Sequence, residues 1–424
     1  MTTPKPTFTV VGDVYSFTWP GIEISLDRFT EGRDHALTAE MTVYSRVEPH
    51  VGLLHRARFN LDAATTRKTV AEMLGKREAI AGIDWPVMLE QVCFLATERW
   101  RTGEPAVDLW GVQPQTARWL LHPYIEHGSP TVLFAKGGSG KSVVALAMAY
   151  TVAAGLRFFV GKTDGIARPV LYLDWETSAE VHNERARAIA SKHNNAQPRI
   201  LYKRMSSSLQ DSAGAIRKEI AQHGVKLVVV DSLGYAGGAA PEEAATAIAL
   251  FGAIRTFGVA TLCVHHRRKG GGMSGGDPDS LFGSAYYFNS ARHVWQLQGE
   301  KDEDKEELNV GFYHVKSNNG RLQKRHGFEV KFTNDTDGLT EGIAFRYKDN
   351  IAEMQGFENS GNLKERILAE FAADGTAKTA AELTEILNAD RNQVQSRLGE
   401  LKTAGKVIHV PGSKWALPVV VNQN

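Results

Sequence analysis

The stretch from Phe134 to Ser142, "FAKGGSGKS", constrains this chain more than any other. An apolar run, "TVLFA", leads into it and a helical pattern, "VVALAMAYTVAAG", follows it. A glycine-rich turn between a strand and a helix points its backbone N–H groups at one spot, and the positive end of the helix faces the same spot. Such a cradle suits phosphate. Gly137, Gly138 and Gly140 let the backbone come close with no Cβ in the way. The usual pattern opens on glycine where Ala135 stands, but only the turn proper demands positive φ, and a methyl at the strand end costs little.

The nucleotide-binding positions expected from this loop are Lys136, Gly137, Gly138, Ser139, Gly140, Lys141, Ser142 and Val143. Lys141 is expected to neutralise the β- and γ-phosphates of ATP, and Ser142 to hold Mg²⁺ through its hydroxyl. The plain alternative is a strand–helix connection with an incidental Gly-Lys-Ser. Two carboxylates downstream weigh against it. "KLVVVDS" ends an apolar strand at Asp231, at the edge where open α/β sheets bind ligands, so Asp231 is expected to hold Mg²⁺ through water. "VLYLDWET" ends another strand with Asp174 and Glu176. Glu176 is expected to orient the attacking water and accept its proton; its alternative role is to cap the helix that follows. Asp174 is expected to tie down backbone instead.

Length allows about two to three domains. The 49 basic and 48 acidic residues nearly cancel, which argues against a polybasic binder without excluding a local basic groove. Cys93 and Cys263 are far apart in sequence, so neither a disulfide scaffold nor a zinc site is indicated. The first residues lack the layout of a signal peptide, and no apolar run is long enough to span a bilayer. A soluble, cytoplasmic chain without a membrane partner is expected.

Three regions are expected. Residues 1–120 open with β-like segments and continue with one helical stretch from Ala64 to Thr102. Residues 121–350 alternate apolar strands with helices, predicting an α/β core on a mainly parallel sheet. Residues 351–362 form a linker, and residues 363–418 a compact tail. Trp110 and Trp119 are expected to pack against the core.

The loop, "YLDWE", "VVVDS" and "VHHRRKG" occur in an order that resembles the RecA-like P-loop ATPases, closest to the RepA-type hexameric replicative helicases and their AAA-family relatives. The resemblance covers roughly residues 115–335. It implies ATP hydrolysis with Mg²⁺ coupled to translocation on, or unwinding of, DNA. It implies self-assembly, as a hexameric ring or a filament. It also places a γ-phosphate sensor at the end of the next strand, where His265 and His266 stand, His266 being preferred. The following glycine-rich loop corresponds to one that lines a channel for single-stranded DNA, with Arg267, Arg268 and Lys269 at phosphates. In "YHVKSNNGRLQKR", Lys316 and Arg321 match a finger that reaches the neighbouring subunit's nucleotide, although Asn318 replaces a second basic residue of some relatives.

The tail is similar to winged-helix domains: three helical patterns, Asp390 capping the third, then two short strands. On duplex DNA, Arg391 and Arg397 would contact groove or backbone, with Asn392, Gln393 and Gln395 beside them. Docking to a protein is the alternative. Two rival readings of the whole chain stay open: a filament-forming repair or recombination ATPase on the same core, and a regulatory nucleotide switch whose tail binds DNA or a partner.

Overall fold

The computed structural model describes residues 4–11, 14–46, 52–77, 83–103, 106–113, 118–238, 243–266, 285–302, 306–357, 363–387 and 389–418. The chain divides into two units, residues 1–116 with 211–224, and residues 117–210 with 225–424.

The first unit begins with β1 (Thr7–Val11), β2 (Val14–Trp19), β3 (Ile22–Glu31), β4 (Leu37–Ser45) and β5 (Gly52–Asn60). They form an antiparallel meander in chain order. Alternation of apolar and polar residues along β2 to β4 turns one face inward. Phe17, Ile24, Met41 and Val43 of that face are buried in one cluster with Leu89 and Val92 from the helices. The single helical stretch expected from sequence is two helices, α1 (Ala64–Gly75) and α2 (Trp85–Thr102). The break has a local cause: the Asp84 carboxylate accepts the Val87 N–H at 3.2 Å, and Pro86 sits in the first turn, so a new helix starts there. Trp110 does not pack as expected. Asp108 caps a short 3₁₀ turn at Leu109–Gly111, and the Trp110 side chain is left 93% exposed.

The second unit starts with a small ribbon of β6 (Trp119–Leu121) and β7 (Ile125–Glu126), and Trp119 packs there against His122 and His293. The elements that follow in the chain are β8 (Pro130–Ala135), α3 (Lys141–Ala154), β9 (Phe158–Phe159), β10 (Gly161–Lys162), β11 (Val170–Asp174), α4 (Ala179–Ala190), β12 (Ile200–Arg204), α5 (Leu209–His223; from residue 211 part of the first unit), β13 (Leu227–Asp231), α6 (Leu233–Ala236), α7 (Ala244–Arg255), β14 (Ala260–His266), α8 (Ala285–Ser290), β15 (His293–Asp302), β16 (Glu307–Ser317), β17 (His326–Asn334) and β18 (Thr340–Lys348). Nine of these strands make one sheet in the order β12-β11-β13-β14-β8-β15-β16-β17-β18. Pairing is parallel from β12 to β15 and antiparallel from β15 to β18. The uniformly apolar strands β8, β11 and β13 are buried along their whole length, as strands covered on both faces must be. β16, read from sequence as one more strand of a mainly parallel sheet, instead begins the antiparallel extension.

This order has a consequence for ligands. β8 lies between β14 and β15 while the chain leaves it to enter β11 three places away, so the carboxyl end of β8 is a topological switch point. The turn after β8 is the glycine-rich loop.

Residues 351–357 are seated on the sheet extension, with Ile351, Met354 and Phe357 buried beside Tyr313. The tail has α9 (Leu363–Asp374), β19 (Lys378–Thr379), α10 (Ala380–Ile386), α11 (Arg391–Thr403), β20 (Ile408–Val410) and β21 (Lys414–Ala416). Its strands pair in the order β19-β21-β20. Ile367, Phe371, Leu383, Val394 and Leu398 form a core of their own, and Asp390 caps α11 by accepting the Gln393 N–H at 3.0 Å. Among the described residues no helix is long and apolar enough to cross a membrane.

Candidate active site

The loop after β8 folds as a cradle. Gly138 and Gly140 both have φ +77°, a conformation that side-chain-bearing residues rarely adopt, while Ala135 stays within β8. Gly140 is the N-cap of α3 and offers no side-chain cap, so the first amides of the helix keep their hydrogen-bonding capacity. Lys141 Nζ donates to the carbonyls of Ala135 (3.2 Å) and Lys136 (2.8 Å). Burial pushes the Lys141 ammonium pKa down, and the charges of Asp231 and Glu176 push it back up.

The ends of β11, β13 and β14 deliver the other groups. Parallel register puts Asp174 beside Asp231, and Asp231 beside Val264 on β14. The Asp231 carboxylate is 4% exposed. Burial raises its pKa against hydrogen bonds from Tyr172, at 2.7 Å, and Ser142. Asp174 is a structural clamp: it accepts the N–H groups of Glu176 (2.9 Å) and Thr177 (3.0 Å) and faces His182 and the Tyr202 hydroxyl. Burial pushes its pKa up, and these hydrogen bonds more than reverse that. The clamp fixes the turn that carries Glu176. Glu176 Oε1 accepts the Ser232 hydroxyl at 2.6 Å and faces His266 Nε2 at 3.6 Å. The adjacent His266 and the Ser232 hydrogen bond hold the carboxyl below its ordinary 4.5 despite partial burial.

Lys141, Ser142, Glu176, Asp231 and His266 line one cavity of about 680 Å³ together with loop glycines and Val143. Lys136 is exposed and takes part through its carbonyl; Ser139 is buried beneath the loop. His265 points the other way, fully buried and stacked on Tyr287. Among the described residues no cluster of His, Cys, Asp or Glu could hold a metal ion unaided. The donor set fits Mg²⁺ that arrives with phosphate oxygens: one hydroxyl and one buried carboxylate.

The opposite wall was not legible from motifs. Leu308, Phe332 and Ile343 make it apolar, and Arg185 of α4 and Lys301 of β15 add cations. The Thr340 N–H donates to Glu184 at 2.8 Å, which ties β18 to the helix carrying Arg185. Gly299 on β15 is the most constrained of these positions. A Cβ there would lie 2.7 Å from Ser139 Cα and 2.8 Å from Ser139 O, within the loop's own backbone. A lone glycine in a strand pattern signals such an approach, and "QLQGEK" carries it. We expect Gly299→Ala to displace the loop and weaken ATP binding by about tenfold, the scale of a 1–3 kcal/mol overpacking penalty. Titration of ATP with far-ultraviolet circular dichroism of the same samples checks it; unchanged affinity in a folded variant contradicts it.

The remaining expected residues lie elsewhere. Lys316 is engaged within its own chain. Its ammonium donates to the carbonyls of Phe288, Asn289 and Ala291 at 2.8–2.9 Å, which uses all three of its protons within its own chain. Arg321 is exposed in the β16–β17 connection. Arg391 and Arg397 are exposed on α11, Arg397 held by Glu400 at 2.5 Å. Arg267, Arg268 and Lys269 lie outside the described residues.

A family model described as an AAA domain matches residues 99–272, which include the loop, Glu176, Asp231 and His266. Among solved structures, a KaiC-like protein from the hyperthermophilic archaeon Pyrococcus horikoshii is similar at 17% identity and a TM-score of 0.38, over 54% of this chain and 93% of that one. That likeness is too low to carry a conclusion about this chain. No curated protein matches.

Proposed function

We propose that this chain, a P-loop ATPase by its loop, its cleft and its AAA-domain match, couples Mg²⁺-dependent ATP hydrolysis to movement on single-stranded DNA as a self-assembling, RepA-like helicase. The observation that carries the coupling is the position of His266. Its imidazole faces Glu176 across 3.6 Å, and the chain runs directly from it into Arg267, Arg268 and Lys269. A group that feels the nucleotide is thus one peptide bond away from the cations expected at a DNA strand.

Each residue has a defined task. The loop amides and the α3 N-terminus receive the phosphates, and Lys141 exchanges its two loop carbonyls for phosphate oxygens. Ser142 and Asp231 would hold the magnesium ion, which supplies neutralising charge at the β- and γ-phosphates when bound. Glu176, kept ionised by its neighbours, accepts the proton of the attacking water. The apolar wall of Leu308, Phe332 and Ile343 suits the flat face of a nucleobase. With Lys316 engaged inside its own chain, Arg321 is the remaining group for a neighbour's nucleotide, which would make turnover depend on assembly. The tail's helices and small sheet support a winged helix with Arg391, Asn392, Gln393 and Gln395 on its exposed helix start.

Steady-state ATP hydrolysis with and without a single-stranded oligonucleotide tests the coupling. The strand should accelerate turnover. Replacing Arg267, Arg268 and Lys269 together by alanine should also shallow the salt dependence of strand binding, reducing the slope of log K against log salt by about 0.7 per lost phosphate contact. Turnover indifferent to the strand removes the motor reading. Electron micrographs of the ATP-bound chain distinguish a ring from a filament.

A further inference from the structure

The second unit has another cavity, of about 680 Å³, that shares no lining residue with the nucleotide cleft. Its walls come from residues that precede β8, from the β9–β10 ribbon, from the β16–β17 connection and from the end of β18. β8 leads away from this cavity toward the glycine-rich loop, so the two sites occupy opposite edges of the sheet.

The lining has an unusual composition for a surface depression. Five aromatic side chains face it: Tyr124, Phe158, Phe159, Phe328 and Tyr347. Two of them are held out in solvent, Phe158 at 74% and Tyr347 at 54% exposed, as is Leu322 at 52%. Single exposed apolar residues need no explanation, but three around one concavity do. The floor is rigid. Tyr124 and His326 share a hydrogen bond of 2.6 Å, the other His326 ring nitrogen meets the Lys324 carbonyl at 3.0 Å, and Phe312 stacks on the imidazole from behind. Burial lowers the His326 pKa, which keeps this floor uncharged at neutral pH.

The rim is basic. Lys162, Arg321 and Lys324 stand around the cavity, and none is paired with a carboxylate among the described residues. Lys162 Nζ instead lies 5.5 Å from the centre of the Phe158 ring. The one acidic group of the lining, Asp349, accepts the Tyr347 hydroxyl at 3.3 Å. Aromatic faces beside uncompensated cations complement a flat π-system that carries an anion.

We propose that this cavity is a second nucleotide-recognition site, which stacks one base on Phe158 and Tyr347 and places the adjoining phosphate between Lys162 and Lys324. The base and phosphate belong either to a free nucleotide or to one unit of a single strand. Its volume is within the range of small-ligand sites and accommodates either.

The experiment uses 2-aminopurine, whose emission is quenched on stacking, in two arms: the riboside 5′-monophosphate, and a short single-stranded oligonucleotide carrying one 2-aminopurine. The full chain should quench at least one probe saturably. Phe158→Ala should weaken that binding by about tenfold or more, and Lys162→Glu with Lys324→Glu should weaken it further. Phe158 is exposed, so its replacement leaves the core untouched. Lys141→Ala should retain the quench, since that lysine belongs to the other cleft. Quenching of the monophosphate alone identifies a free nucleotide as the source, and quenching of the oligonucleotide alone identifies a strand. No quench in either arm overturns the proposal. So does a quench that survives Phe158→Ala, or one lost in Lys141→Ala, which would assign the binding to the loop after β8.

Discussion

Glu176→Gln should bind ATP and scarcely hydrolyse it, with kcat lowered by about 10²- to 10⁴-fold, the range a positioned general base contributes. The amide has the same shape and still accepts the Ser232 hydroxyl, so the strand end and its clamp on Asp174 persist. What it loses is the capacity to take a proton. KM for ATP should change little, which separates this effect from damage to the cradle. Acidity gives a second readout. His266, Ser232 and Lys141 hold the Glu176 carboxyl below its ordinary 4.5. The base is therefore in its active, ionised form from neutral pH down through the usual carboxylate range. The loss of turnover that Glu176 itself causes should come only below about 4.5, as the group takes up a proton. Full turnover by the amide variant would move the role to another group.

Lys141→Ala should lose ATP binding as well as turnover. Its ammonium is buried beneath the loop, drawn toward Asp231 and Glu176 and resting on two carbonyls. Removing it takes away a charge-assisted hydrogen bond, about 1.5–3 kcal/mol or roughly 10- to 150-fold in affinity. It also leaves two carboxylates facing incoming phosphate with no cation between. The rate should fall further, by about 10²- to 10³-fold in kcat, as expected for a preorganised group aimed at developing charge. Alanine is a good helix former at the start of α3, so the fold should survive. Binding measured by fluorescence or calorimetry, beside turnover, checks both parts; an affinity unaffected by the change would contradict the assigned cradle.

The sequence made the cradle legible for a physical reason. Glycines at fixed offsets, a lysine and a hydroxyl are the cheapest way to wrap a phosphate, and the carboxylates Asp231 and Glu176 follow strands that announce themselves by apolar runs. Asp174 ends β11 and His266 ends β14, and the cavity unites His266 with Glu176 while Asp174 clamps the turn. Residues that long-range pairing brings to the cleft or its loop were missed. Gly299, Leu308, Phe332 and Ile343 lie on β15 to β18, and only the sheet order brings that extension over the loop. Arg185 sits on an amphipathic helix where an arginine reads as solvated surface.

The errors have local causes too. Trp110 was expected against the core because the segment that follows it resembles the lead-in to such cores, yet a capped 3₁₀ turn leaves it in solvent. The Ala64–Thr102 stretch read as one helix because both halves share a periodicity, and the cap at Asp84 was overlooked.

The central claim is that a triphosphate seats at the carboxyl end of β8. Calorimetric titration of MgATP into the Glu176→Gln chain tests it without interference from turnover. The account predicts saturable binding at the cradle that disappears when Lys141→Ala is added. No binding at any accessible ATP concentration, with or without a single strand present, would contradict it.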